Sequence, residues 1–200
     1  MRARWYVFVV VAVAVLLSYC VLALGKEDDK PASAPATPDY AHYENEEFGF
    51  GFDYPEDWLL EEVASDGIGT GTGLGIGIGI KPMDSESNQI QISVDADAYP
   101  MLIAFGESYF ADLRTYSLEQ YFEQLGASNL NILANERVRG MWDWETTFNV
   151  TYENTLLQGG VFIKEKYVND EECTLYSLFY VYSDDWSEGL KVVDSFMIAD

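Results

Sequence analysis

The order of elements read from the chain predicts an α+β domain, an antiparallel sheet with helices packed against it. Three observations predict it. Segments that read as strands, most with a period of two and one apolar on both faces, follow one another with short links near residues 48–55, 67–80 and 89–96, and again near 138–151, 158–168 and 173–182. One amphipathic helical pattern separates the two groups, and a second closes the chain. Strands in series joined by short connections pair antiparallel, and helices placed between and after such groups cover the sheet.

Each element has its own signature. In FGFGFDYP (48–55) every second residue is aromatic, and Pro55 ends the run before Glu56-Asp57 turn the chain into Trp58, a core anchor. GIGTGTGLGIGIGI (67–80) has glycine at every odd position and Ile, Thr or Leu at the even ones. A period of two is a strand period, so one face is apolar and the other carries no side chains. The run does not read as a phosphate cradle. G-x-G-x-x-G needs a glycine where an even-numbered residue stands, and no Gly-Lys-Ser/Thr is present. QIQISVDA (89–96) is a half-buried strand, while residues 97–114 fit neither period.

Ser117 as N-cap, Gln120 as its capping-box partner and Gly126 as stop predict a helix with Leu118, Tyr121, Phe122 and Leu125 along its buried stripe. In the strand near 138–151, Trp142, Trp144, Thr146, Phe148 and Val150 share one face; the next strand is entered through Gly159-Gly160. CTLYSLFYVY (173–182) is apolar on both faces, as a central strand covered on both sides must be. Ser183 then caps a helix over 184–194 with Trp186, Leu190 and Val193 buried, and Ser195-Phe196 closes the domain.

The N-terminus gives an address. Behind Arg2 and Arg4, residues 5–24 (WYVFVVVAVAVLLSYCVLAL) carry no charge, enough helix to span a bilayer core. The arginines hold the N-terminus inside and send the remainder across. Three outcomes compete: an uncleaved transmembrane anchor over 1–25, cleavage after Gly25 as a signal peptide, and lipidation at Cys20 in Leu17-Ser18-Tyr19-Cys20, where bulky Tyr19 departs from a lipobox. All three leave the bulk of the chain on the extracytoplasmic side. Residues 26–46, with prolines at 31, 35 and 38 among small and acidic residues, read as a linker, and the folded domain as 47–200.

From residue 26 onward 34 acidic residues face 9 basic ones. Such a surface repels phosphates, which argues against a nucleic-acid partner. It suits solubility or a salty medium, and otherwise recruits cations or a basic partner. With Cys20 in the apolar run and Cys173 opening a strand, the domain holds together by its core, without a disulfide. His42, the only histidine, falls in the linker, which leaves His-based triads without a base and Cys173 without an activator.

Two weaker site signals remain. Asp84, Glu86 and Asn88 with Asp95 at the twelfth place resemble a calcium loop, although Gln89 stands where the loop needs glycine. Asn149-Val150-Thr151 is a glycosylation sequon.

FGFGFDYPEDW (48–58) resembles the opening strand and turn of the PsbP-like family, Gly-Phe-x-Phe-x-Tyr-Pro-x-x-Trp. The Tyr-Val-Tyr strand (180–182), Trp186 and VVDSF (192–196) are similar to that family's closing strand, helix and tail. The glycine ladder has no counterpart there. The resemblance implies an α–β–α sandwich with no conventional active site, no catalytic residue and no cofactor. It also implies a role in docking or assembly: the namesakes sit on the lumenal side of photosystem II and help retain its inorganic cofactors, and many prokaryotic members are exported. The expectation is therefore a non-catalytic, membrane-tethered module that docks a protein partner at the membrane surface. The alternatives are a surface protein binding calcium or manganese, and a hydrolase built on two carboxylates in one cleft.

Overall fold

The computed structural model describes residues 39–65, 75–83, 85, 88–183 and 186–199. Among the described residues ten strands and three helices follow in the order β1 (Tyr40–Asn45), β2 (Phe50–Pro55), β3 (Trp58–Ser65), β4 (Gly75–Pro82), β5 (Gln89–Ala98), α1 (Met101–Phe105), α2 (Glu107–Gln124), β6 (Ser128–Arg137), β7 (Trp144–Tyr152), β8 (Thr155–Asn169), β9 (Glu172–Tyr182), α3 (Ser187–Ser195) and β10 (Met197–Ile198). Seven strands form one sheet in the order β3-β4-β5-β9-β8-β7-β6, and every neighbouring pair is antiparallel. A second sheet has the order β1-β2-β10.

Two adjacent rows across the large sheet display the architecture. On one face, Leu60, Ile80, Ile90, Tyr180, Gly160, Thr147 and Ala134 are cross-strand neighbours. Ile76, Ile78, Ile80, Ile90, Ile92, Val94, Tyr176 and Leu178 cover most of that face and pack against Phe50 and Phe52 of the small sheet and Val192, Val193 and Phe196 at α3. On the other face the row is Glu61, Gly79, Gln91, Phe179, Val161, Thr146 and Asn135. There α2 seats Leu118, Tyr121 and Phe122 on Phe148, Val150, Leu157 and Val181, while Leu102 of α1 and Phe110 meet Trp144 and Ile163. The antiparallel sheet is as the alternation predicted. The α–β–α sandwich is not: a three-stranded sheet with one short helix stands where a helical layer was expected, and α2 covers only part of the opposite face.

β9 is the central strand its two apolar faces demanded, between β5 and β8. Other local readings need correction. The segment 40–45, read as linker, is a strand pairing with β2, so ordered structure begins ahead of residue 47. β6 was not anticipated, and Trp142 lies before β7, packed into the opposite core. Ser117 is not an N-cap: it sits inside α2, which starts ten residues earlier, and its hydroxyl donates to the Leu113 carbonyl at 2.7 Å. Gly126 does end that helix, at φ +74°. In α3 the N-cap position belongs to Trp186, not Ser183, and Val192 rather than Leu190 joins Val193 in the core.

Candidate functional site

Of the four calcium-loop candidates the structure describes Asn88 and Asp95, and β5 holds these two apart. Asn88 stands just before the strand and Asp95 near its far end, so the extended backbone separates them by about 20 Å, too far for one ion. Asn88 is also committed elsewhere: its side-chain oxygen accepts from the Ser183 backbone N–H (3.0 Å) and hydroxyl (3.3 Å), tying the β4–β5 turn to the end of β9. Asp95 accepts from the Asp97 N–H at 3.2 Å. Asp84 and Glu86 lie outside the described residues, as do Cys20 and the apolar run 5–24. Among the described residues no three His, Cys, Asp or Glu side chains are grouped to hold a metal, and no helix is long and apolar enough to cross a membrane. Asn149 is half-buried in the middle of β7, flanked by β6 and β8.

His42, placed by the linker reading outside the domain, is on β1 directly across from Asp53, with Nδ1 2.7 Å from the carboxylate. The nearby Ser195 hydroxyl is taken up by backbone: it accepts from the Asp53 N–H at 2.8 Å and lies 2.8 Å from the Val192 carbonyl. The three side chains therefore do not form a relay. Cys173 is fully buried, and burial pushes its thiol up to about 12, with Glu165, Asp95 and Glu172 adding to the rise. A thiol held so far from its thiolate is a packed small hydrophobe, as expected.

Sequence reasoning missed two polar networks that fix the α1–α2 side, one around buried Glu165 and one around half-buried Asn135. Glu165, 2% exposed, lies on β8. Its carboxylate accepts from the Leu102 backbone N–H at 3.0 Å and from the Tyr167 hydroxyl at 2.6 Å. Burial, followed by the Glu165 hydrogen bond and charge, raises the Tyr167 phenol, so it stays a donor. Arg114 on α2 supplies opposite charge: burial draws it down to about 10 and Glu165 resists that fall. Its Nε is buried without a hydrogen-bond partner, and its guanidinium carbon is 5.3 Å from the Phe110 ring centroid. Asn135 on β6 uses both ends of its amide: Nδ2 donates to the Ala111 carbonyl (2.8 Å) and Thr115 hydroxyl (3.0 Å), and Oδ1 accepts from Trp144 Nε1 (2.8 Å) and the Thr146 hydroxyl (3.0 Å). These bonds pin α2 to β6 and β7.

The described part of the glycine ladder, 75–80, is a two-faced strand. Ile76, Ile78 and Ile80 of β4 enter the core, while on the other face Gly75 and Gly79 are half-buried and Gly77 is buried. A shallow trough there is lined by Leu59, Glu61, Gly79, Lys81, Gln89 and Gln91. Its residues offer a mixed polar rim over bare backbone and no pair of carboxylates for acid–base work. The close carboxylate pair lies at the other end of the sheet, where Glu136 and Glu145 are direct cross-strand neighbours. Desolvation and then Glu136 raise Glu145 above its ordinary range.

With this geometry in hand, the architecture is PsbP-like in fold. The solution structure of cyanobacterial PsbP (CyanoP) from Synechocystis sp. PCC 6803 matches with a TM-score of 0.55 over 84% of this chain and 98% of that one. Sequence identity is 11%, so the likeness is one of fold. No family model matches the chain, and no curated protein matches it by sequence.

Proposed function

We propose that this protein is a non-catalytic, membrane-tethered module on the extracytoplasmic side that docks a partner protein or complex. The observation that carries the reading is the conjunction of a PsbP-like fold with an uncharged run of membrane-spanning length behind two arginines. The burial of Cys173 and the backbone-bound Ser195 support a binding role over nucleophilic catalysis by either side chain. The chain's acidity favours a partner that presents basic residues.

Crosslinking of the full-length protein in its native membranes, followed by purification under denaturing conditions, tests this. The expected result is a stoichiometric partner recovered from the membrane fraction. Recovery of the full-length chain in the cytosolic fraction, or of no partner at all, would sink the proposal.

A further inference from the structure

The segment Tyr99–Gly106 (YPMLIAFG) has no acidic or basic side chain, in a chain with 34 Asp and Glu. It leaves β5 through Pro100, forms α1, and turns at Gly106 into α2. Its apolar side chains do not all enter the core. Leu102 is 5% exposed, but Tyr99 is 49%, Ile103 69% and Phe105 39% exposed, and Tyr109 one turn further on is 39% exposed. The rings form one group: Tyr99 and Phe105 have centroids 5.9 Å apart, and Phe105 and Tyr109 5.0 Å.

The knob is held from below. Leu102 packs with Phe110, Trp144 and Ile163, and its N–H donates to buried Glu165. The Gly106 N–H closes α1 on the Leu102 carbonyl at 3.0 Å, and Gly106 itself takes φ +80°, a conformation costly for any other residue. Exposed aromatic and branched side chains on a fixed backbone lose little freedom on binding, which is how interface anchors work.

We infer that the α1 knob, Tyr99, Ile103, Phe105 and Tyr109, is the docking surface for a protein partner that presents an apolar cleft rimmed by Lys and Arg. Charge complementarity selects the rim. Asp97 precedes the knob, Glu107, paired with Arg137 at 3.3 Å, lies within it, and the chain as a whole is strongly acidic. The same acidity sets the knob against an anionic bilayer surface, which leaves a protein as its occupant. The N-terminal segment enters the domain at Asp39, whose carbonyl accepts from the Glu56 N–H beside the start of β3, near the Leu59–Lys81 pair. The knob follows the other end of β5, beyond the Asp95–Gly75 pair, about 20 Å along the ladder. The knob and the entry of the chain at Asp39 therefore lie at opposite ends of the β3–β5 ladder. This inference deepens the docking reading and rests on it.

The test places a photoreactive phenylalanine analogue at position 103 of the full-length protein in native membranes, and at Leu133 on β6, 58% exposed, as a control. The expected result is one protein adduct from position 103 that maps to an apolar segment flanked by Lys or Arg. The adduct should fall about tenfold or more with Phe105→Ser at unchanged melting temperature, and decline as salt rises. Adducts only to lipid, only to a second copy of this chain, or equally from both positions overturn the inference. A partner recovered through position 133 and not 103 overturns it too, while leaving the docking function standing. No partner from either position overturns both.

Discussion

Two glycine stretches in the same sheet are bare for opposite reasons. On β8, Gly159 and Gly160 are required by what already fills their space: a Cβ at Gly159 would lie 2.4 Å from the Tyr180 carbonyl oxygen and 2.7 Å from the Phe148 ring, and one at Gly160 2.7 Å from the Tyr180 ring. On β4, a Cβ at Gly79 meets nothing within 4 Å. The first pair lets aromatic rings lie flat on the backbone, and the stack Phe162, Tyr180 and Trp186 depends on that closeness. Nothing in the described chain asks for the glycine at position 79. A repeat that looks like a single device in the sequence therefore has to be judged residue by residue from its surroundings.

The sharpest break of the comparison is Gly160→Val. The new side chain must displace the Tyr180 ring, whose phenol burial pushes up to about 12, and with it the contact to Phe162. Overpacking of this kind costs up to about 3 kcal/mol. Chemical denaturation of the full-length protein should show the midpoint drop with little change in slope. An unchanged midpoint would mean that the aromatic stack does not need the bare backbone.

Next is Asn135→Leu, which tests whether the α2-covered side is held by its polar clamp. The change leaves the Trp144 indole N–H and the Thr146 hydroxyl without acceptors; Trp144 is 2% and Thr146 0% exposed. Orphaning buried groups costs about 1–3 kcal/mol each before relaxation, so a net loss of about 3 kcal/mol is expected, with fluorescence of Trp144 shifting as α2 loosens. A loss below about 1 kcal/mol would assign that side's stability to its apolar contacts alone.

That clamp also marks the limit of what the sequence disclosed. Alternation placed β5 and central β9, and the Ile positions of β4, because burial there is hydrophobic and periodic. Asn135 is held by hydrogen bonds, and β6 is an edge strand with register shifts, so SNLNILANER showed no period. β1 was hidden for a related reason: it lies half open at the edge of the small sheet, its residues alternate exposed and half-buried, and only pairing with β2 makes it a strand. The early half of α2 escaped because the helix buries Phe110 and then nothing fully until Leu118. Acidic spacing suggested an ion loop at 84–95, and spacing carries no information about extension: residues 89–95 run along β5, which keeps Asn88 and Asp95 apart. The PsbP-like fold was legible in the aromatic, proline and glycine positions at the two ends of the domain, which sit together in one core.

Gly189→Ala sets local propensity against packing. In a helix interior the change should stabilise by about 1 kcal/mol. In α3 a Cβ would lie 2.2 Å from the Trp186 ring, which stacks on Trp58 at 5.9 Å with planes 7° apart. The ring cannot give way without breaking that stack, so a net loss of about 1–2 kcal/mol is expected in thermal unfolding. A gain would show that Trp186 has room to move.

Gly79→Val carries the smallest effect and the opposite sign. Its cross-strand neighbours are Glu61 and Gln91, both on the uncovered face, and the space above is open. Replacing glycine inside a strand by a β-branched residue removes backbone entropy from the unfolded chain and adds cross-strand contact, a gain of about 0.5–1 kcal/mol. The change should raise the melting temperature of the protein free of any partner. A fall instead would mean that the trough is filled in the folded protein, and that Gly79 is bare for the same reason as Gly160. The contrast between β4 and β8 would then dissolve, so the sign of this one small shift decides whether the sheet contains two kinds of glycine or one.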